Sequence, residues 1–339
     1  QGRTLTQRVT LEGGLLKAVE LLEQALEIDS EFAECWTALG EAFIHVAVYT
    51  PCLERVALSE KAASCARRAL DLDPNQGYAY AILSIHEWTC FNPAGALEYA
   101  LEAYRLEPHN ADVTLRLGSS LLYLGRTREA LPYIEAAIEQ DPVYGRNYVM
   151  LCVAHLNVGD LEAAMRAGQR MADLGIPGFY LGVAQAAAGN HETAVKTYFE
   201  TRRYVGTLIM SPPGAAEISD EARDFYLKTA AEGICSGNEE ARQTYCKLID
   251  MLHQTLLDPY DQTVAWPAVW MGHSNLVMKV YREQIHPANM PGLMSLWTDI
   301  DPIGRTLQHP DFMAFAEDIG MVEAWEKYGW PDLIPSDPR

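Results

Sequence analysis

Two short stretches carry residue types that could do chemistry. His86-Glu87-Trp88-Thr89-Cys90 places an imidazole and a thiol one helical turn apart, the spacing of two soft metal ligands. No second pair with that spacing lies near it, and helical packing or surface accounts for both positions, so no metal is assigned. Gly272-His273-Ser274-Asn275-Leu276 opens like the elbow that presents a nucleophilic serine. It lacks the closing glycine and no strand precedes it, so the strand–turn–helix context fails. A helix–helix turn capped by Ser274 or Asn275 is expected there instead. Neither G-x-x-x-x-G-K-[ST] nor G-x-G-x-x-G occurs, so no phosphate cradle is indicated. The carboxylates are numerous but scattered over helix faces, as a solvated exterior requires. The expectation is a chain without catalytic residues, metal or cofactor: not an enzyme.

The elements that position these residues follow from composition and rhythm. The chain has 339 residues, 49% of them hydrophobic, enough for one extended or two compact domains. Its formal net charge of -20 repels phosphate backbones and anionic lipid, which disfavours direct nucleic-acid or membrane-surface binding. Seven cysteines, none paired as C-x-x-C, fit a reducing compartment and a cytoplasmic location. The opening QGRTLTQRVT has no signal-peptide pattern, and its lack of an initiator methionine suggests a piece of a longer protein. Leu174–Asn190 and Gln262–Met278 lack acidic and basic side chains but contain Pro or Gly and polar residues, so neither reads as a membrane span.

Self-similarity at 34 residues is the dominant signal. In Gly77–Asn110, positions 7, 20, 24, 27 and 32 hold Leu83, Ala96, Ala100, Ala103 and Pro108; in Ala111–Tyr144 they hold Leu117, Ala130, Ile134, Ala137 and Pro142. Leu151, Cys152, Gly159, Ala164 and Met171 continue the period from Gly145. Upstream, Trp36, Leu39, Gly40 and Phe43 open a repeat that Ala62, Ala66, Ala69 and Pro74 close, with about ten extra residues around His45–Ala57. Gly13, Ala18, Leu22, Ala25 and Ser30 match the second half of an earlier repeat, and Leu181, Gly182, Gly189, Ala194 and Tyr198 fit once more after a shortened joint at Gly175–Gly178. Small residues at fixed positions let two antiparallel helices approach, large ones fill between them, and the proline ends the second helix. No unit buries its apolar face alone, so the units must stack.

Beyond Thr207 the register weakens. Ser211-Pro212-Pro213-Gly214 breaks any helix. Helices are predicted at Asp220–Cys235 and Glu239–Thr255, capped by Ser219 and Asn238, then at Thr263–Met271 and Asn275–Gln284, with shorter ones at Pro291–Trp297, Pro310–Asp318 and Met321–Tyr328. These read as degenerate repeats plus a cap that covers the end of the array. The expected division is 1–206 for the array and 207–339 for the degenerate part.

The pattern W-x2-L-G-x2-Y/F at Trp36–Phe43, with the 34-residue period, resembles the tetratricopeptide repeat. That resemblance implies an all-α, right-handed superhelical solenoid of antiparallel helix pairs with a degenerate helical C-terminal cap. Two passages narrow it. One is Ala18–Ala42, AVELLEQALEIDSEFAECWTALGEA; the other is the tail, with Ile300-Asp301-Pro302, Leu307, Pro310, Phe312, Ile319-Gly320, Trp325, Tyr328 and Gly329-Trp330-Pro331-Asp332. Both are similar to the repeat regions of bacterial regulators in which a winged-helix or adenylate-cyclase-type domain precedes the array. Asp311 stands where that family often has Arg. The resemblance implies a sensory or protein-interaction role in transcription or signalling and carries over no catalytic residue.

In tetratricopeptide arrays the first helix of each pair lines the concave face at positions 2, 5, 9, 12 and 13. Here this face is apolar and aromatic in its middle, and the binding residues expected from it are Tyr78, Ile85, Trp88, Leu115, Tyr123, Arg146, Val149 and Asn157. Trp88 and Tyr123 would supply contact area, and Arg146 and Asn157 polar anchoring. The expected occupant is a protein or peptide, a partner helix or an apolar small molecule. Two alternatives stay open: a passive scaffold that assembles complexes or self-associates, and a stripe buried as core by a tight superhelix or by the chain's own C-terminal third.

Overall fold

The computed structural model describes residues 14–49, 54–175, 179–209, 219–256, 262–334 and 336. Among these the chain is helical and contains no strand. α1 (Gly14–Ile28) is the second helix of a half-repeat. Five hairpins follow in order: α2 (Ala33–Tyr49) with α3 (Arg55–Leu72), α4 (Gly77–Thr89) with α5 (Pro93–Leu106), α6 (Ala111–Tyr123) with α7 (Thr127–Gln140), α8 (Gly145–Asn157) with α9 (Leu161–Asp173), and α10 (Phe179–Ala187) with α11 (His191–Ile209). The fold is the all-α tetratricopeptide-type solenoid that the 34-residue rhythm predicts. α2 has 17 residues against 13 in α4, so part of the insertion near His45–Ala57 lengthens this helix; its remainder includes 50–53, outside the described residues. The Ser211–Gly214 breaker and most of the Gly175–Gly178 joint also lie outside them.

The small residues do what the pattern requires. Ala62, Ala96, Ala130, Ala164 and Ala194, one per hairpin, have no exposed surface. At Gly118 an added Cβ would stand 2.9 Å from Ile134 Cγ1, so α6 and α7 pack closer than any side chain at that position allows. In the second, third and fourth hairpins the turn between the two helices places one residue in the left-handed region, Phe91, Gly125 and Gly159. Side chains then cap the second helix: Asn92 accepts from the Gly95 amide at 3.0 Å and Asp160 from the Ala163 amide at 3.0 Å.

The C-terminal third begins as two further hairpins, α12 (Asp220–Cys235) with α13 (Glu239–Thr255) and α14 (Gln262–Trp270) with α15 (Ser274–Glu283). Ser219 and Asn238 cap as expected, Ser219 accepting from Ala222 at 3.2 Å and Asn238 from Glu240 at 2.9 Å. The stretch expected as a helix at Pro291–Trp297 is a 3-10 segment, Met290–Leu296, followed by a second at Ile303–Thr306, then α16 (Phe312–Asp318) and α17 (Met321–Tyr328). These last elements turn back onto the array rather than adding to its end. One continuous buried cluster joins Ile44 and Trp88 to Trp297 and Trp325, and α11 runs without a break across positions 206 and 207.

The close approach at Gly118 has a measurable consequence. Gly118→Val overpacks the α6–α7 contact and should lower stability by about 1–3 kcal/mol. Urea denaturation followed by circular dichroism checks it; an unchanged midpoint would mean that the two helices are not held at this spacing.

Candidate functional site

The inner face is divided between a covered half and an open half. The covered half lies at the C-terminal ends of α6 and α8. There Asn157 Nδ2 donates to the Met294 carbonyl at 2.9 Å, Thr298 Oγ1 to the Leu156 carbonyl at 3.2 Å, and Trp297 Nε1 to the Tyr123 carbonyl at 3.1 Å. Trp88 is buried edge-to-face against Tyr123, with ring centroids 5.5 Å apart. Phe179 and Tyr180 of α10 pack on Trp266 and Trp270 of α14 with ring centroids 5.4–6.2 Å apart, which holds the returning chain over the far end. Tyr123 and Asn157, expected from the sequence to meet a ligand, are therefore core residues beneath the chain's own 3-10 segment, and Trp88 is buried against Tyr123. Val149 is half-buried and packs against the same core.

Sequence features fixed 200 residues away explain how the return is held. Position 16 of each unit caps the second helix in its neighbours, Asn92 and Asp160, but in the third unit it is Arg126, which forms no cap. Asp332 of the Gly329–Asp332 ending replaces it: its Oδ2 accepts from the Arg128 amide at 2.8 Å. A carboxylate at a helix N-terminus satisfies an orphan amide and the helix dipole together. At Gly125, φ is +75° and a Cβ would fall 2.5 Å from the Trp297 ring and 2.7 Å from Pro331, so this turn needs glycine for both reasons.

The open half is a small cleft of about 20 Å³, continuous with solvent, at the N-terminal ends of α4, α6 and α8. Tyr78, Ala81, Ile82 and Ile85 form one wall; Asp112, Leu115, Arg116 and Ser119 face it, and Arg146 closes the end. Of the expected residues, Tyr78, Ile85, Leu115 and Arg146 meet here. Tyr78 donates its hydroxyl to Glu41 Oε1 at 3.1 Å, and burial first, then Glu41, pushes its phenol well above the usual value. Arg116 is a second cation that the sequence reading missed, because it occupies position 6 of its unit, outside the positions assigned to the inner face. Burial lowers its affinity for the proton, and the Arg146 guanidinium lowers it further. Both arginines stay charged at any physiological pH.

The other sequence candidates resolve into structure. His86 Nε2 lies 3.5 Å from Cys90 Sγ and 3.0 Å from Glu60 Oε2. Burial pushes the Cys90 thiol up, the opposite of what a thiolate ligand or nucleophile needs, and the same effect lowers His86. Among the described residues no group of three or more His, Cys, Asp or Glu is arranged to hold a metal ion, and no helix is long and apolar enough to cross a membrane. Gly272 (φ +61°) makes the turn into α15, where the cap position is His273 and Ser274 is the first helical residue, correcting the expected cap. His273 pairs with Asp250 at 2.9 Å, and Ser274 Oγ donates to the Gly272 carbonyl at 3.3 Å.

Fold and cleft together define an all-helical repeat solenoid whose inner face is half covered by its own chain and half open. Residues 115–178, the α6–α9 region, match the tetratricopeptide-repeat family model. No curated protein matches the chain. Among solved structures, yeast Tom70 is 14% identical over 93% of this chain and 60% of its own, with a TM-score of 0.45. PilF of Pseudomonas aeruginosa is 20% identical over 66% of this chain and 94% of its own, TM-score 0.42. YrrB, described as a TPR protein with an unusual peptide-binding site, is 21% identical over 56% and 94%, TM-score 0.36.

Loss of the long-range cap is testable alone. Asp332→Ala leaves the Arg128 amide without its acceptor and should cost about 0.5–2 kcal/mol, the range for N-cap removal. A thermal melt of the full chain measures it; a melting temperature equal to that of the unsubstituted chain contradicts the capping role.

Proposed function

We propose that this chain is a non-catalytic binding module that engages a protein or peptide segment through the open half of its concave face. The observation that carries this reading is the division of that face: the chain fills the Trp88–Tyr123–Asn157 half with its own Met290–Thr298 segment and leaves the Tyr78–Arg146 cleft open. A cleft of about 20 Å³ takes the tip of a side chain from a segment lying across it and is too small for a whole partner helix. No nucleophile, base and oxyanion donor converge in it, which supports a binding role over a catalytic one.

The finer role we propose is that of a sensory or partner-binding region in a bacterial cytoplasmic regulator. The resemblance at Ala18–Ala42 and at the Gly329–Asp332 ending supports it, as do the buried, unbridged thiols of Cys35, Cys65, Cys152 and Cys235.

Ala81, on the cleft wall and 2% exposed, gives the test. Peptides selected on the unsubstituted chain from a displayed random library should lose binding to Ala81→Trp, which fills the cleft. Selected peptides that bind both proteins equally would move the interaction surface elsewhere and favour a scaffold that uses its outer face.

A further inference from the structure

The repeat array has two edges, and the chain treats them differently. The returning segment covers the edge at the α4–α5 and α6–α7 turns, where Gly320 meets Phe91, and Trp297 and Pro331 meet Gly125. The opposite edge carries the turns that join one unit to the next, and these are built alike. Asp29, Asp73 and Asp141 each accept from the amide two residues on, at 3.0, 3.0 and 3.2 Å. Trp36, Thr114 and Tyr148 donate to the carbonyls of Ser30, Pro108 and Pro142 at 2.9, 3.3 and 3.1 Å. The first of these turns, between α1 and α2, differs from the others in what it exposes.

Ile28, the last residue of α1, is 89% exposed, and Phe32, which precedes α2, is 47% exposed. Leu72 and Leu106 hold the place of Ile28 in the next two units and are half-buried. Trp36 is half-buried one turn further along α2, fixed by its bond to Ser30 of the same turn. Large apolar side chains left in water beside an indole already held in place form a patch that protein partners cover, at little cost in ordering. The charge around the patch has one sign. Glu27, Asp29, Glu31 and Glu34 are exposed, and among the described residues none of the four forms an ion pair. Between Lys17 and Arg55 the chain has no lysine or arginine. The patch therefore sits in a negative field that attracts a basic segment and repels an acidic one, a phosphate backbone or an anionic lipid.

We infer that the α1–α2 junction is a docking surface for a basic protein segment, which lays a large apolar side chain on Ile28, Phe32 and Trp36 and sets lysine or arginine against the surrounding carboxylates. None of these three residues lines the inner cleft, so the surface is a second one and stands whether or not the cleft binds.

Selection of a displayed random peptide library on the full chain, with the Phe32→Asp chain as counter-selection, decides it. Peptides that need Phe32 should carry a net positive charge and at least one large apolar residue. In fluorescence anisotropy they should bind about 10-fold or more weakly to the Ile28→Asp chain and weaken as salt rises. Both substitutions add negative charge, so a basic peptide held by general attraction alone would bind the variants more tightly, not less. Ala81→Trp should leave these peptides unaffected, and so should Phe225→Asp, which alters an apolar residue 65% exposed on α12. Should an aspartate variant fail to fold by circular dichroism, Phe32→Ser and Ile28→Ser replace them in the same comparison. A library that yields only Ala81-dependent peptides supports the cleft and overturns this surface. Phe32-dependent peptides that are neutral or acidic, or an equal loss on Phe225→Asp, overturn it as well. A dimer seen by light scattering that Phe32→Asp dissolves would give the face to a second copy of the chain and overturn the basic partner.

Discussion

Three consecutive backbone carbonyls at the end of α6 set the architecture. A helix leaves its last carbonyls without intrahelical donors, and burying them unpaired costs about as much as lost hydrogen bonds. Here Tyr123, Leu124 and Gly125 each receive a donor from the far end of the chain: Trp297 Nε1 at 3.1 Å, Trp325 Nε1 at 3.0 Å and the Asp332 amide at 3.0 Å. The Asp332 carboxylate then takes the Arg128 amide that opens α7. One helix–turn–helix junction of the third hairpin is thus completed by residues 297–332, and the two indoles pack edge-to-face on each other at 5.8 Å.

This seating explains why the inner face has two characters. Of the aromatic residues that would make the middle of the groove adhesive, Tyr123 receives the returning chain and Trp88 is buried against it. What remains for another molecule is the part beyond its reach, where Tyr78, Leu115, Arg116 and Arg146 gather at the helix N-termini. Filling the apolar stripe from within also removes an exposed hydrophobic patch that an open solenoid would present to solvent.

The repeats were legible because they are local. Ala62, Ala96, Ala130 and Ala164 recur where two neighbouring helices must touch, and hairpin formation needs only residues some tens apart. The return was not legible, because Trp297 meets Tyr123 across 174 residues and Asp332 meets Arg128 across 204, with no periodicity to announce either. One signal was present in the sequence: Arg126 stands where Asn92 and Asp160 cap, which leaves an N-terminal amide of α7 for a distant acceptor. Half of the expected binding residues line the cleft; Trp88, Tyr123 and Asn157 are buried and Val149 packs half-buried against the same core, because a one-dimensional pattern marks the inner face without saying what covers it. Arg116 escaped notice because position 6 lies outside the positions assigned to the inner face.

Hydrogen–deuterium exchange on the full chain tests the seating most directly, since the neighbouring hairpin supplies an internal control. The α8–α9 turn caps itself through Asp160, whereas the α6–α7 turn depends on the returning chain. Replacing Trp297 and Trp325 together by alanine should accelerate exchange at Gly125–Arg128 by far more than at Gly159–Ala163. Equal effects at the two turns, or none at either, would contradict the claim that the C-terminal segment completes the third hairpin.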